Sequence, residues 1–227
     1  HPKTARFYDD LGIISADKEL GQDLISLFNL LSGLGLDANF NRLLVAPRDL
    51  RDALVSKIRR ETANHLDGKP SYIRWKLNSL LDEKIIEELY SAAKAGVKID
   101  IVTRGICAFR LSQVAHNQNV RIRSILGRFL EHSRIFHFHN DGNSEYFIGS
   151  ADIMDRNLNR RIETLVQIKR DIHIRSLNQI LEQSFNNQFT HWQMDENDKW
   201  HLNKAKGANS DYQEYFIENI TEGARND

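Results

Sequence analysis

The chain has 227 residues, with 31 basic and 31 acidic side chains, a formal net charge of zero and 41% hydrophobic residues. That size fits one large domain or two small ones, the composition excludes a disordered chain, and the neutral balance excludes the uniformly cationic surface that coats duplex DNA. A single cysteine, Cys107, excludes an internal disulfide and a multi-cysteine zinc site, and no apolar run approaches the roughly 20 residues of a membrane span.

The first residues, His1-Pro2-Lys3-Thr4, show neither a signal-peptide apolar stretch nor an initiator methionine, so a fragment of a larger product is expected. Asp17 is placed to cap a helix whose apolar positions Leu20, Leu24, Leu27, Phe28 and Leu31 recur at helical spacing, and Gly33 and Gly35 end it. Leu43-Leu44-Val45-Ala46 fits a short buried strand. Pro47 fits the first turn of a helix with the core face Leu50, Leu54 and Ile58. Gly68-Lys69-Pro70 is a turn, and residues 72–77 form the next strand. Asp82 is placed to cap a helix through Ile85, Ile86, Leu89 and Ala93 that stops at Gly96, before a strand over 98–102.

This strand–helix–strand–helix–strand order implies an α/β fold with a mixed, largely parallel sheet flanked by helices. Further on the pattern is richer in strands, at 120–125, 133–138, 145–148 and 163–168, with Asp141-Gly142-Asn143 as a hairpin-type turn. A last helix carries Leu177, Ile180, Leu181 and Phe185. From about Asp195 the chain turns polar. Asp211, Glu214, Glu218, Glu222 and Asp227 outnumber Arg225, so 196–227 is expected to be a loosely held acidic tail.

The segment from Arg104 to Arg161 holds nine arginines, five acids and no lysine. Arginine is suited to phosphate oxygens because its planar donors can bind two at once. Within it stands His132-Ser133-Arg134, where side chains two apart on a strand share a face and point into one site. A histidine there can attack phosphorus or pass a proton to a leaving oxygen, and the adjacent cation can hold phosphoryl oxygens. In Gly149-Ser150-Ala151-Asp152 the glycine lets backbone amides approach a phosphate and the serine adds a donor. His65, His116, His137, His139, His173, His191 and His201 are read as structural or surface residues. His137 and His139 alternate on a strand but have no evident third zinc ligand, so no metal site is expected.

Four longer stretches are distinctive: Ile101-Val102-Thr103-Arg104-Gly105-Ile106-Cys107, Arg121-Ile122-Arg123-Ser124-Ile125, Arg128-Phe129-Leu130-Glu131-His132-Ser133-Arg134, and Gly149-Ser150-Ala151-Asp152-Ile153-Met154-Asp155-Arg156-Asn157. Together with Arg161-Ile162-Glu163, Lys76-Leu77-Asn78-Ser79-Leu80 and Lys3-Thr4-Ala5-Arg6-Phe7-Tyr8, they resemble the carboxy-terminal part of the bacterial polyphosphate kinase family, in order over residues 1 to 195. The family makes inorganic polyphosphate from ATP. Its catalytic half is similar to phospholipase D: two related α/β domains face each other, each giving a His-x-Lys/Arg strand. The resemblance implies that residues 1–38 are the last piece of the first catalytic domain and 39–195 the second. It also implies that the phosphorylated histidine and a His-x-Gly-Thr-Gly-Asn segment lie upstream of His1, leaving the isolated chain inactive.

By the same resemblance Tyr8 and Arg104 match the nucleotide tyrosine and the nucleotide-phosphate arginine. His132 matches the second active-site histidine, which would bind the nucleotide phosphates and protonate the ADP oxygen. Arg134, Ser150, Asp152 and Arg161 would line the same pocket, and Glu163 and Asp10 would orient active-site histidines. Asp9 is a departure, since the family often has threonine there. Mg²⁺ is expected with ATP, on ligands outside this chain. The implied partners are ATP or ADP, inorganic polyphosphate, the remainder of the same enzyme and further copies in a homo-oligomer, with no nucleic acid. The implied location is the cytoplasm or the periphery of the inner membrane. A phospholipase D-type phosphodiesterase or nuclease is the alternative. Arg134 in place of that group's lysine and Asp152 in place of its asparagine stand against it.

Overall fold

The computed structural model describes residues 2–34, 39–114, 118–205 and 211–223. In chain order the elements are α1 (Pro2–Ala5), β1 (Tyr8–Asp9), α2 (Lys18–Leu31), β2 (Leu43–Ala46), α3 (Leu50–Leu66), β3 (Tyr72–Leu77), α4 (Glu83–Ala95), β4 (Lys98–Thr103), β5 (Val120–Ser124), β6 (Leu130–Glu131), β7 (Ile135–Phe138), β8 (Glu145–Gly149), β9 (Glu163–Ile168), α5 (Asp171–Gln183), β10 (His191–Met194), β11 (Trp200–Asn203) and α6 (Tyr212–Gly223).

Local chemistry sets several boundaries where the sequence puts them. Asp17 Oδ1 accepts from Leu20 N at 3.0 Å and starts α2, and Asp82 Oδ1 accepts from Ile85 N at 3.1 Å and starts α4. Gly96, at φ 107°, ends α4 in the left-handed conformation that costs glycine least. Pro47 is not the first residue of a helix. It lies in a turn in which Arg48 N and Asp49 N both bond to Val45 O, and α3 begins only at Leu50. Gly35, the second expected helix terminator, lies outside the described residues.

Nine strands form one sheet in the order β11-β10-β5-β4-β3-β7-β8-β9-β2. The sheet is mixed: β3, β4 and β5 run parallel, and every other neighbouring pair is antiparallel. β2 is not a neighbour of β3 but closes the far edge, antiparallel to β9. Periodicity marks a strand and its buried faces, not its neighbour.

Helices α3 and α4 cover one face, where Leu54, Ile58 and Leu89 pack on Ile73, Trp75, Ile99 and Ile101. Full burial of each such side chain stabilises by about 2 kcal/mol. The other face meets α5, whose Leu177 and Leu181 pack on Ile135, Tyr146, Ile148 and Ile168. Strand alternation puts Arg74, Asp100, Arg121, Arg123 and His137 on this second face. Asp100 is bonded by Arg121 Nε at 2.6 Å, and Arg74 Nε donates to His137 Nδ1 at 3.0 Å.

Two expectations change. Only Leu20 and Leu27 of the α2 apolar stripe are buried, against Leu43 and Val45, while Leu24, Phe28 and Leu31 are exposed. The helix is tied to β2 instead by buried Asp23, whose carboxylate accepts from the amides of Asn41, Arg42 and Leu43 at 2.9, 2.6 and 3.1 Å. The described part of the expected tail is not loose. β11 pairs with β10, which pairs with β5, and α6 buries Tyr212 against Phe189, with ring centroids 5.7 Å apart. Tyr212, Tyr215 and Phe216 form an aromatic face that the acidic charge count hid. Residues 206–210 and 224–227 lie outside the described residues. Among the described residues no helix is long and apolar enough to cross a membrane.

Candidate functional site

Most of these candidate residues gather at one end of the central strands, where β3, β4 and β8 end and β7 and β9 begin. The N-terminal segment reaches this edge through a short parallel ladder pairing Tyr8 with Leu130 and Asp9 with Glu131. Leu130 N donates to Phe7 O at 2.7 Å and His132 N to Asp9 O at 2.9 Å. The ladder sets Tyr8 edge-on to the His132 ring, with centroids 4.9 Å apart and planes at 79°. It also brings Asp10 Oδ2 to 2.7 Å from His132 Nδ1. A carboxylate can only accept, so Nδ1 carries the hydrogen, and Nε2 meets Arg134 Nη1 at 3.3 Å.

Arg134 is buried. Its Nε and Nη2 donate to Asp152 at 3.3 and 2.9 Å, and Nη1 donates to His132 O at 3.0 Å while lying 3.3 Å from both ring nitrogens. All three guanidinium nitrogens are therefore occupied by the protein, so Arg134 holds His132 and lends it positive charge. Asp152 does not line the cleft. It is 4% exposed and accepts from Asn78 N and Ser79 N at 2.8 and 3.2 Å. Burial pushes its carboxyl up, but Arg134 and the two amides outweigh this and hold it below the ordinary carboxylate range.

A cleft of about 320 Å³ is lined by Asp10, His132, Arg134, Gly149, Ser150 and Thr164. Ser150 Oγ accepts from Thr164 N at 3.3 Å. Arg104, after β4, donates through Nε to Asn78 Oδ1 at 3.1 Å and lines an adjoining cavity of about 370 Å³ with Phe7, Arg128 and Phe129. Arg161 is exposed and outside the lining of the cleft. Glu163 is buried at the start of β9, two strands from His132, and accepts from Asn157 Nδ2 at 2.6 Å rather than from a histidine. Arg121 and Arg123 face Asp100, Gln193 and Phe185, not the site. His137 is pushed down to about 2 by burial and by Arg74, so it stays neutral in the core. His116 lies outside the described residues. Among the described residues no three His, Cys, Asp or Glu side chains converge as a metal cage.

The polyphosphate kinase C-terminal domain 2 family matches residues 43–213. The chain belongs to this family. It is 46% identical over 209 residues to a polyphosphate kinase of Streptomyces coelicolor, covering 91% of this chain and 28% of that protein. It is 48% identical over 169 residues to one of Synechocystis sp., covering 74% and 23%. The crystal structure of a polyphosphate kinase from Porphyromonas gingivalis gives a TM-score of 0.84 at 34% identity, over 92% of this chain and 32% of that one. The chain thus spans 28% of the length of the Streptomyces relative.

The chain also carries a buried polar network that the sequence pattern did not reveal. Lys76 Nζ is bonded to Glu131 and donates to Ser133 Oγ at 2.7 Å. Gln213 Nε2 donates to Glu131 Oε1 at 2.7 Å, and Gln213 Oε1 accepts from Phe129 N at 2.7 Å. Helix α6 thereby grips the segment that precedes His132. One signal was available: Lys76 sits in the apolar strand Tyr72–Leu77, and a lysine is rarely buried without a partner.

Proposed function

We propose that the protein carrying this chain moves the γ-phosphate of ATP to inorganic polyphosphate through a phosphohistidine, and runs back with ADP. This chain supplies the nucleotide side of the site, and the phosphorylated histidine lies in the preceding domain. The observation that carries the reading is the convergence of Tyr8, Asp10 and Arg134 on His132, in a chain of this family. Each half-reaction is an in-line displacement at phosphorus, so positioning and charge neutralisation dominate. Asp10 holds His132 so that Nε2 meets the β-phosphate oxygen and gives it a proton as the bond to the γ-phosphorus breaks. The incoming imidazole takes the phosphoryl group. Arg134 adds a fixed positive charge, and Arg104 and Arg128 on the adjoining cavity suit a polyanion.

Mg²⁺ is proposed to arrive with ATP. Among the described residues no three carboxylate, imidazole or thiol side chains converge to hold it. The exposed α2 stripe faces the remainder of the enzyme, which works in the cytoplasm or at the inner membrane as a homo-oligomer and without nucleic acid.

In the intact enzyme His132→Ala is expected to abolish polyphosphate synthesis. The 227-residue chain alone, given γ-labelled ATP and Mg²⁺, is expected to form no histidine phosphate. Stoichiometric labelling of that chain, or cleavage of a phosphodiester in place of ADP formation, would overturn the reading.

A further inference from the structure

Asp9 and Glu131 are register partners across the parallel β1–β6 ladder, so their side chains share one face of it. Two ionised carboxylates directly opposite each other on paired strands repel, which favours one of them keeping a proton. The surroundings decide which. From β3, Lys76 bonds to Glu131. From α6 come Gln213, donating to Glu131 Oε1 at 2.7 Å, and the buried hydroxyl of Tyr212. From β1 itself comes Asp10, whose carboxylate is on His132. One buried cation thus serves two carboxyl groups, with a third carboxylate nearby. Burial and Glu131 push Asp9 up to about 7. Burial also acts on Glu131, but Lys76 and Gln213 outweigh it and hold that carboxyl below its usual range. The proton therefore belongs to Asp9.

We infer that Asp9 is a positioning residue that ties the presentation of Tyr8 and Asp10 at His132 to pH: while protonated it donates to Glu131 and closes the β1–β6 ladder, and on losing the proton it releases it. Tyr8 and Asp10 flank Asp9 in the chain, so opening the ladder withdraws both from His132 together. Loss of the proton removes the donor and leaves two carboxylates beside a single lysine. A threonine keeps its donor at every pH; an aspartate does not. In sign, the folded-state pKa is raised. The contribution is complete below the ordinary carboxylate value and is lost as pH rises through about 7.

The test compares wild type, Asp9→Asn and Asp9→Thr at matched pH, by amide hydrogen exchange of Leu130 and His132 in the intact protein. Both amides donate to the Phe7–Asp9 segment. The ratio of wild-type to variant exchange is expected to rise about tenfold or more between about pH 5.5 and pH 8. A ratio that stays flat for both variants overturns the inference. A second arm, which rests on the kinase reading, follows KM for ATP over the same range. KM should rise in wild type relative to both variants, with kcat moving less. A rising exchange ratio with an unchanged KM ratio supports the Asp9 proton and counts against the nucleotide role given to Tyr8.

Discussion

His132 and Asp10 are 122 positions apart in the chain and 2.7 Å apart at Nδ1 and Oδ2. The contact exists because β1 pairs with β6 directly before His132. A histidine that passes a proton needs its ring held through one nitrogen, and this pairing holds Nδ1. Asp10→Asn in the intact enzyme is therefore expected to lower kcat by about 10–100-fold while leaving the fold unchanged. Steady-state kinetics with matched circular dichroism would check it, and a loss smaller than about threefold would remove Asp10 from the role.

The Arg134–Asp152 pair makes a stability prediction. Asp152→Ala strands a buried guanidinium and the amides of Asn78 and Ser79. The expected loss is about 3–5 kcal/mol by urea denaturation. Because the Asp152 pKa is depressed, its contribution is present above the ordinary carboxylate value and is lost as pH falls through the lower folded value. Asp152→Asn should accordingly flatten the acid limb of the stability profile. An unchanged acid limb would show that the pair is not linked to pH.

What the sequence made legible was local. Asp17 and Asp82 cap helices with their own carboxylates, Gly96 ends one by its φ, and the strand at 72–77 shows its full extent. These features depend on residues a few positions apart. The position of β2 beside β9 and the burial of Lys76 against Glu131 depend on the tertiary path, which periodicity does not encode. The same limit explains the arginine segment. Arg121 and Arg123 look like phosphate ligands in a charge count, but strand alternation turns them to Asp100 and Phe185. Tyr8, His132 and Arg134 lie in the long motifs, and the structure brings them together with Asp10. The supports beneath them were not legible.

Gly149, the last residue of β8, packs directly against the β9 backbone. A Cβ there would overlap Thr164 O and crowd Leu165 Cα, both backbone atoms that cannot rotate away. Gly149→Ala is expected to destabilise by about 1–3 kcal/mol and to shift Ser150, which exchanges hydrogen bonds with Thr164. Differential scanning calorimetry would report it, and an unchanged Tm would show that the two strands can part without cost.

The apolar stripe of α2 separates the stability of the chain from that of the whole protein. Leu24, Ile25, Phe28 and Leu31 are exposed, with Phe28 at 65%, although their spacing is that of a core face. Burial of this stripe in the intact protein requires partner surface from outside the chain, which spans 28% of its Streptomyces relative. Phe28→Ser should leave the stability of the 227-residue chain unchanged to within about 0.5 kcal/mol, because the ring contributes little where it is. In the intact protein the same substitution should cost about 3 kcal/mol, the scale for truncating a buried aromatic ring. Paired denaturation curves decide the matter: equal, small losses in both would show that no surface outside the chain covers α2, whereas a loss confined to the intact protein would identify the stripe as an interface with the rest of that protein.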